Sequence, residues 1–128
     1  MLARHLRFAG KASRRLARSI FHALLRYGPK LERQQLLLGR FVDIATELFA
    51  ITAACLRAEQ FLRSDAAETD KSELAALADY FCRSSRVRIE EQFHEIKRNA
   101  DQAGYKLAQK VLEGKHAALE SGMVSRTR

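Results

Sequence analysis

Four groups of residues in this sequence carry types and spacings that could do chemistry. Two Glu-x-x-His pairs, Glu91/His94 and Glu113/His116, have the spacing with which helices of a bundle hold a two-metal carboxylate site, provided two more glutamates project inward. Helical geometry opposes that use. Measured from the apolar Ile89, Glu91 lies about 200° and His94 about 140° round the helix, so both point outward. Gly114 interrupts the second pair. Both pairs read as solvated side chains, and no metal is expected. The second group is Cys55 and Cys82, far apart in apolar stretches and forming no CxxC pair, which read as reduced core residues. The third is Arg40-x-x-Asp43-x-x-x-Glu47, three charges on one face of an otherwise apolar stretch. A charge there must be paired, because leaving it alone costs several kcal/mol. A structural ion-pair stripe of Arg40, Asp43 and Glu47 that fixes helix register is the expectation. A docking surface for another domain is the alternative.

The fourth group is cationic. Arg4, Arg7, Lys11, Arg14, Arg15, Arg18 and Arg26 share one side of the first apolar repeat, and no acid occurs from Met1 to Leu31. The opposite side carries Leu2, Leu6, Ala9, Ser13, Leu16, Ile20, Leu24 and Tyr27. These seven cations are candidates for contact with an anionic membrane or an acidic partner. A solvated bundle face is the simpler reading, but it normally carries compensating acids at i,i+4, which are absent. Nucleic acid fits poorly, since no helix-turn-helix is recognisable and aromatics do not interleave with the arginines. No glycine-rich phosphate loop, nucleophile elbow, or serine or cysteine with a paired base is present. No catalytic and no cofactor-binding residue is therefore expected.

Elements that could position these groups follow from composition. Twenty Ala and 17 Leu stand against four Val and five Ile, with six Gly and one Pro, so helix formers dominate. The pattern gives four helices at roughly 2–27, 31–62, 71–98 and 102–120, then a frayed tail over 121–128. Gly28-Pro29, the polar stretch 63–69 and the region 99–104 separate them. Asp70-Lys71-Ser72-Glu73 reads as a capping box. Short connections favour antiparallel neighbours, hence a single all-α domain, an antiparallel up-and-down bundle of about four helices. The second helix is apolar round most of its circumference and is expected at the centre, wrapped by the others.

The chain has 128 residues, 47% of them apolar, enough for one core and too few for a cofactor domain with a substrate domain. Its formal charge of +8 is uneven: residues 1–40 hold ten basic residues against Glu32, and residues 41–128 hold 13 against 14 acids. No export or membrane-spanning segment is expected, because arginines interrupt the first apolar repeat and the uncharged run 48–56 is far short of the roughly 20 residues a bilayer needs. The expected location is cytoplasmic, or peripheral to the inner face of the membrane.

The residues Gln35-Gln-Leu37-Leu38-Gly-Arg40-x-x-Asp43-x-Ala45-x-Glu47-Leu48-Phe49-Ala50, then Arg57-Ala58, resemble the C-terminal helical extension of very-long-chain-type acyl-CoA dehydrogenases. Asp79-Tyr80-Phe81-Cys82 and Arg88-Ile89 fall in the order and spacing of the same extension. The likeness covers about residues 30 to 96, and none of its motifs is catalytic. The resemblance implies a parent flavoenzyme of fatty-acid oxidation whose core binds FAD and acyl-CoA and supplies the glutamate base. Nothing in this chain matches that glutamate or the flavin site. It further implies a non-catalytic helical domain that docks on the dehydrogenase core, on a second copy as a homodimer or higher oligomer, or peripherally on an anionic membrane. A stand-alone basic helical protein coating a lipid surface, or less readily one binding nucleic acid, is the alternative.

Overall fold

The computed structural model describes residues 1–122, so the expected fraying of the tail falls, from residue 123 on, outside the described residues. The chain is all-α, with no strand among the described residues. Helix α1 spans Leu2–Tyr27, α2 Gln35–Leu62 and α3 Glu68–Lys97, and together they form one compact unit. A second unit begins at Arg98 and holds α4, Asp101–Leu112, and the short α5, Ala117–Glu120.

Helix α1 ends at Gly28, whose φ of 53° favours glycine. Pro29 then opens a 3-10 turn over Gly28–Arg33, so α2 starts at Gln35 rather than near residue 31. Proline fits this first turn because it needs no amide partner there. The second connection is shorter than its composition implies. Ser64 Oγ accepts from the Ala66 amide at 3.3 Å, and α3 is already helical at Glu68. The capping box does not form, because Asp70 lies inside the first turn. There Asp70 and Glu68 complement the positive end of the helix dipole instead. The fourth predicted helix is broken at Gly114, whose φ is 79°, leaving α4 and α5 where one helix over 102–120 was expected.

Register within the first unit can be read from side-chain contacts. Arg40, Glu47 and Cys55 of α2 meet Glu95, Arg88 and Cys82 of α3, the numbers rising on one helix as they fall on the other. Those helices are therefore antiparallel. Arg4 meets Asp79 and Arg15 meets Glu90, a constant offset of 75 residues, so α1 and α3 run parallel.

The core lies between these helices. Ile44 and Ile51 of α2 and Ile89 of α3 are fully buried, flanked by Phe41, Leu48 and Phe93. Helix α1 contributes a line of small side chains, Ala9, Ala12 and Ala23, together with Leu16 and His5. This differs from the expected stripe: Ser13, Ile20 and Leu24 are exposed, and the buried line is rotated toward the alanines. Small residues let the helix backbone approach closely, which large ones on the same line would prevent.

Helix α2 also differs from expectation. It is not wrapped all round. Its inward face carries Leu37, Phe41, Ile44, Leu48, Ile51, Cys55 and Ala58, while Val42, Phe49 and Leu56 are 62%, 76% and 56% exposed. Ile51 should therefore dominate stability. Ile51→Ala is expected to cost about 2–5 kcal/mol in urea denaturation, whereas Val42→Ala on the outward face should cost well under about 1 kcal/mol.

Candidate functional site

The structure splits the seven α1 cations into two sets. Arg4 Nη2 donates to Asp79 Oδ1 at 2.6 Å, and Arg15 Nη1 donates to Glu90 Oε2 at 2.8 Å while its guanidinium sits 4.0 Å from the Phe93 ring centroid. Arg26 lies 5.3 Å from the ring of Tyr27. These three are tied to the fold. Arg7, Lys11, Arg14 and Arg18 are exposed, and no acid among the described residues pairs with them. Arg14 makes only a 3.3 Å contact to the Gly10 carbonyl. At 100° per residue these four follow one line along the helix, and Phe21 and Leu25, both exposed, continue it. A single solvent-facing stripe thus runs from cationic to apolar.

The most constrained polar group is Asp79, which the sequence marked only as part of the family motif and not as a hub. It accepts from Arg4, from His5 Nε2 at 2.8 Å and from Arg83 Nε at 2.6 Å. Chiefly the His5 hydrogen bond, then those from Arg83 and Arg4, hold its carboxyl far below the usual carboxylate range. Because Asp79 is an ionised acceptor, Nε2 of His5 carries the proton. His5 is completely buried, and its Nδ1 has no partner among the described residues. One turn along α3 from Asp79, Cys82 lies 3.7 Å from Cys55, both thiols free and buried. Burial first, and then the neighbouring Cys55, push the Cys82 thiol up to about 12. Such a thiol stays protonated at neutral pH and is a poor nucleophile. His5 makes no hydrogen bond to either sulfur, so the group is structural in arrangement.

The charged stripe of α2 works across helices rather than within its own. Arg88 grips Glu47 through two hydrogen bonds of 2.6 and 3.0 Å and also donates to Ser85 Oγ. The Arg88 hydrogen bonds hold the Glu47 carboxyl below its ordinary value. Arg40 reaches Glu95 at 3.5 Å. Asp43 does not join them: it is exposed, with no ion pair among the described residues.

The two Glu-x-x-His pairs lie in different units, Glu91 and His94 in the first and Glu113 and His116 in the second. Glu91 and His94 are exposed on α3, while Glu113 pairs with Lys115 at 2.7 Å beyond the end of α4. Glu91 and His94 line a shallow crevice of about 920 Å³ between α1 and α3, with Phe8, Arg83, Arg86 and Val87. Glu90 and Glu95 lie on its wall as well, and the crevice opens broadly to water. A flavin dinucleotide needs an enclosed apolar slot and donors for its pyrophosphate. This crevice, with its glutamates, does not fit FAD.

Comparison with known proteins shows which family this chain belongs to. The family described as "ACAD9/ACADV, C-terminal domain" matches residues 2–117. The chain belongs to this family. "Probable acyl-CoA dehydrogenase FadE10" of Mycobacterium tuberculosis and that of Mycobacterium bovis are each 42% identical to it over 126 residues. That alignment takes in 98% of this chain and 19% of each relative, so the chain spans about one-fifth of the length of the curated relatives it matches. These residues correspond to an acyl-CoA dehydrogenase C-terminal domain and contain no catalytic core. No solved structure matches. Among the described residues, no helix of this domain is long and apolar enough to cross a membrane.

The Asp79 cluster sets a pH dependence. A carboxyl whose folded pKa is depressed contributes stability that is fully present above the unfolded value of about 4 and is lost as pH falls toward the folded one. Asp79→Asn is expected to lower the urea midpoint at neutral pH and to flatten part of the acid limb below about pH 4. Adding Glu47→Gln should flatten more of it. A second expectation concerns the thiols: an aromatic disulfide reagent should leave Cys55 and Cys82 untouched in the native protein and titrate both in denaturant.

Proposed function

We propose that this domain docks on the catalytic core of an FAD-dependent acyl-CoA dehydrogenase-like enzyme of fatty-acid oxidation and takes no part in the chemistry itself. The alignment of nearly the whole chain with one-fifth of proteins bearing that name carries the reading. Exposed apolar side chains on all three long helices support it: Phe21 and Leu25, Phe49 and Leu56, Leu77 and Tyr80. Exposed apolar side chains of this kind are what a partner surface would cover. FAD and the base that removes the substrate α-proton would both belong to that core, since neither has a place in these residues. Immobilised chain should recover a flavin-absorbing protein from extracts of its own cells. Recovery of no flavoprotein would overturn the reading.

A second reading rests on the α1 stripe. Four exposed cations running into Phe21 and Leu25 suit a peripheral contact with an anionic membrane, the cations lying over headgroups and the apolar end dipping between them. Each cation near such a surface contributes about 1 kcal/mol. The domain would then sit at the cytoplasmic face of the membrane. Nucleic acid suits the stripe less well, because it offers no run of aromatics for base stacking. The chain should co-sediment with vesicles containing phosphatidylglycerol, lose that binding as salt rises, and ignore phosphatidylcholine. Equal recovery on both vesicles would remove the membrane from the account.

A further inference from the structure

Two free thiols meet in the core of the first unit, at the level where α1 begins. Cys55 of α2 and Cys82 of α3 are both buried, and their sulfurs lie 3.7 Å apart, in van der Waals contact. They come from neighbouring antiparallel helices and stand 27 positions apart in the chain. A disulfide brings two sulfurs to about 2 Å, so each has less than about 1 Å to move. The Cys55 sulfur also faces the Leu2 carbonyl at 3.9 Å. Leu2 is partly buried against the cluster that holds both thiols, and Met1, one residue earlier, is exposed. The first turn of α1 thus lies between the sulfur pair and water.

That turn is poorly held by its own helix. Its N-cap, Met1, makes no side-chain cap hydrogen bond, and no acid stands in the first turn. Arg4 instead places a cation near the positive end of the helix dipole. What holds the turn down is Asp79 of α3, whose carboxylate accepts from both Arg4 and His5. Asp79 stands one turn before Cys82, so the latch and the thiols share one level of the unit. If the latch lets go, the first turn frays and the sulfur pair meets solvent. Hydrogen peroxide is scarcely larger than water and needs only that opening, whereas an aromatic disulfide reagent needs room for a ring.

We propose that Cys55 and Cys82 form a redox-sensitive staple between α2 and α3, closed by hydrogen peroxide and gated by the Asp79 latch on the first turn of α1. This goes beyond docking on a dehydrogenase core and stands independently of it. Cys82, held protonated, is a poor attacking group, so Cys55 reacts first. Its sulfur bonds to one peroxide oxygen as the O–O bond breaks, and its proton leaves with the departing hydroxide as water. The Cys82 sulfur then bonds to the Cys55 sulfur, the S–O bond breaks, and the hydroxide released takes the Cys82 proton as a second water. Two thiols are oxidised and one peroxide is reduced to two waters. The new bond ties α2 to α3 across their connection and restricts the unfolded chain, which stabilises the unit.

After the full chain is treated with hydrogen peroxide, a non-reducing digest should contain one pair of peptides joined through Cys55 and Cys82, two hydrogens lighter than the separate peptides. Dithiothreitol should separate them, and the oxidised chain should unfold at a higher urea concentration than the reduced one. Cys82→Ser should leave Cys55 as a sulfenic acid that dimedone traps. Asp79→Asn should speed closure about tenfold, because it weakens two hydrogen bonds to a charged acceptor. Leu37→Ala loosens the core at the far end of α2 without touching the latch, and should leave the rate nearly unchanged. Thiols that stay free, that pass to sulfinic acid without pairing, or that join separate chains overturn the staple. Equal acceleration by Leu37→Ala and Asp79→Asn overturns the gate, since general unfolding would then be the route to the sulfurs.

Discussion

Helix α2 is apolar on two opposite faces, and the three-helix unit has material to cover only one. Everything else in the unit follows from that imbalance. The face bearing Ile44, Ile51 and Cys55 is sealed by α1 and α3 and carries six of the thirteen buried residues of the core. The face bearing Phe49 is left to water. At about 25 cal/mol per Å² of apolar surface removed from water, covering it offers a partner a driving force the isolated unit cannot use. A partner that covered this face would complete the burial that the unit's own fold leaves undone.

The way α1 attaches shows how the unit holds its shape with so little core. Its buried line of alanines brings the backbone close but removes modest apolar area, so packing alone specifies its position weakly. The Asp79 cluster supplies the specification. Arg4 and His5 reach one carboxylate on α3, and Arg15 reaches Glu90 at the same offset further along. Sliding α1 by one turn would break these contacts together and leave a buried imidazole beside an unmatched charge. Buried polar contacts of this kind contribute less to net stability than to choosing one register among several. The Glu47–Arg88 fork does the same between α2 and α3.

Much of this architecture was legible in the sequence, and the parts that were not share a cause. Four helical stretches, the break at Gly28-Pro29 and the family resemblance follow from composition, periodicity and the Arg40–Arg57 motifs, all local signals. The capping box at Asp70 was a local signal too, but the chain reached helical geometry earlier, at Glu68, and left Asp70 inside the turn. What periodicity could not give was which apolar line on α1 faces inward. Leu and Ile outweigh Ala on any hydropathy scale, yet close helix approach selects the Ala9–Ala12–Ala23 line and turns Ile20 and Leu24 outward. The Asp79 hub lay hidden for another reason. Its partners come from residues 74 and 75 positions away, and His5 among cations carries no mark of burial until the third dimension is known.

The outward stripe of α1 is what gives the formal charge of +8 its meaning. A stripe of cations alone would have affinity for any polyanion. Because Arg4, Arg15 and Arg26 are tied to neighbours, the remaining four share their stripe with Phe21 and Leu25. A purely electrostatic partner rewards the first half of that stripe and is indifferent to the second. A surface that is anionic outside and apolar within rewards both halves at once. The face of α2, lacking cations, rewards neither headgroups nor phosphates. Charge thus distinguishes two surfaces of one small unit.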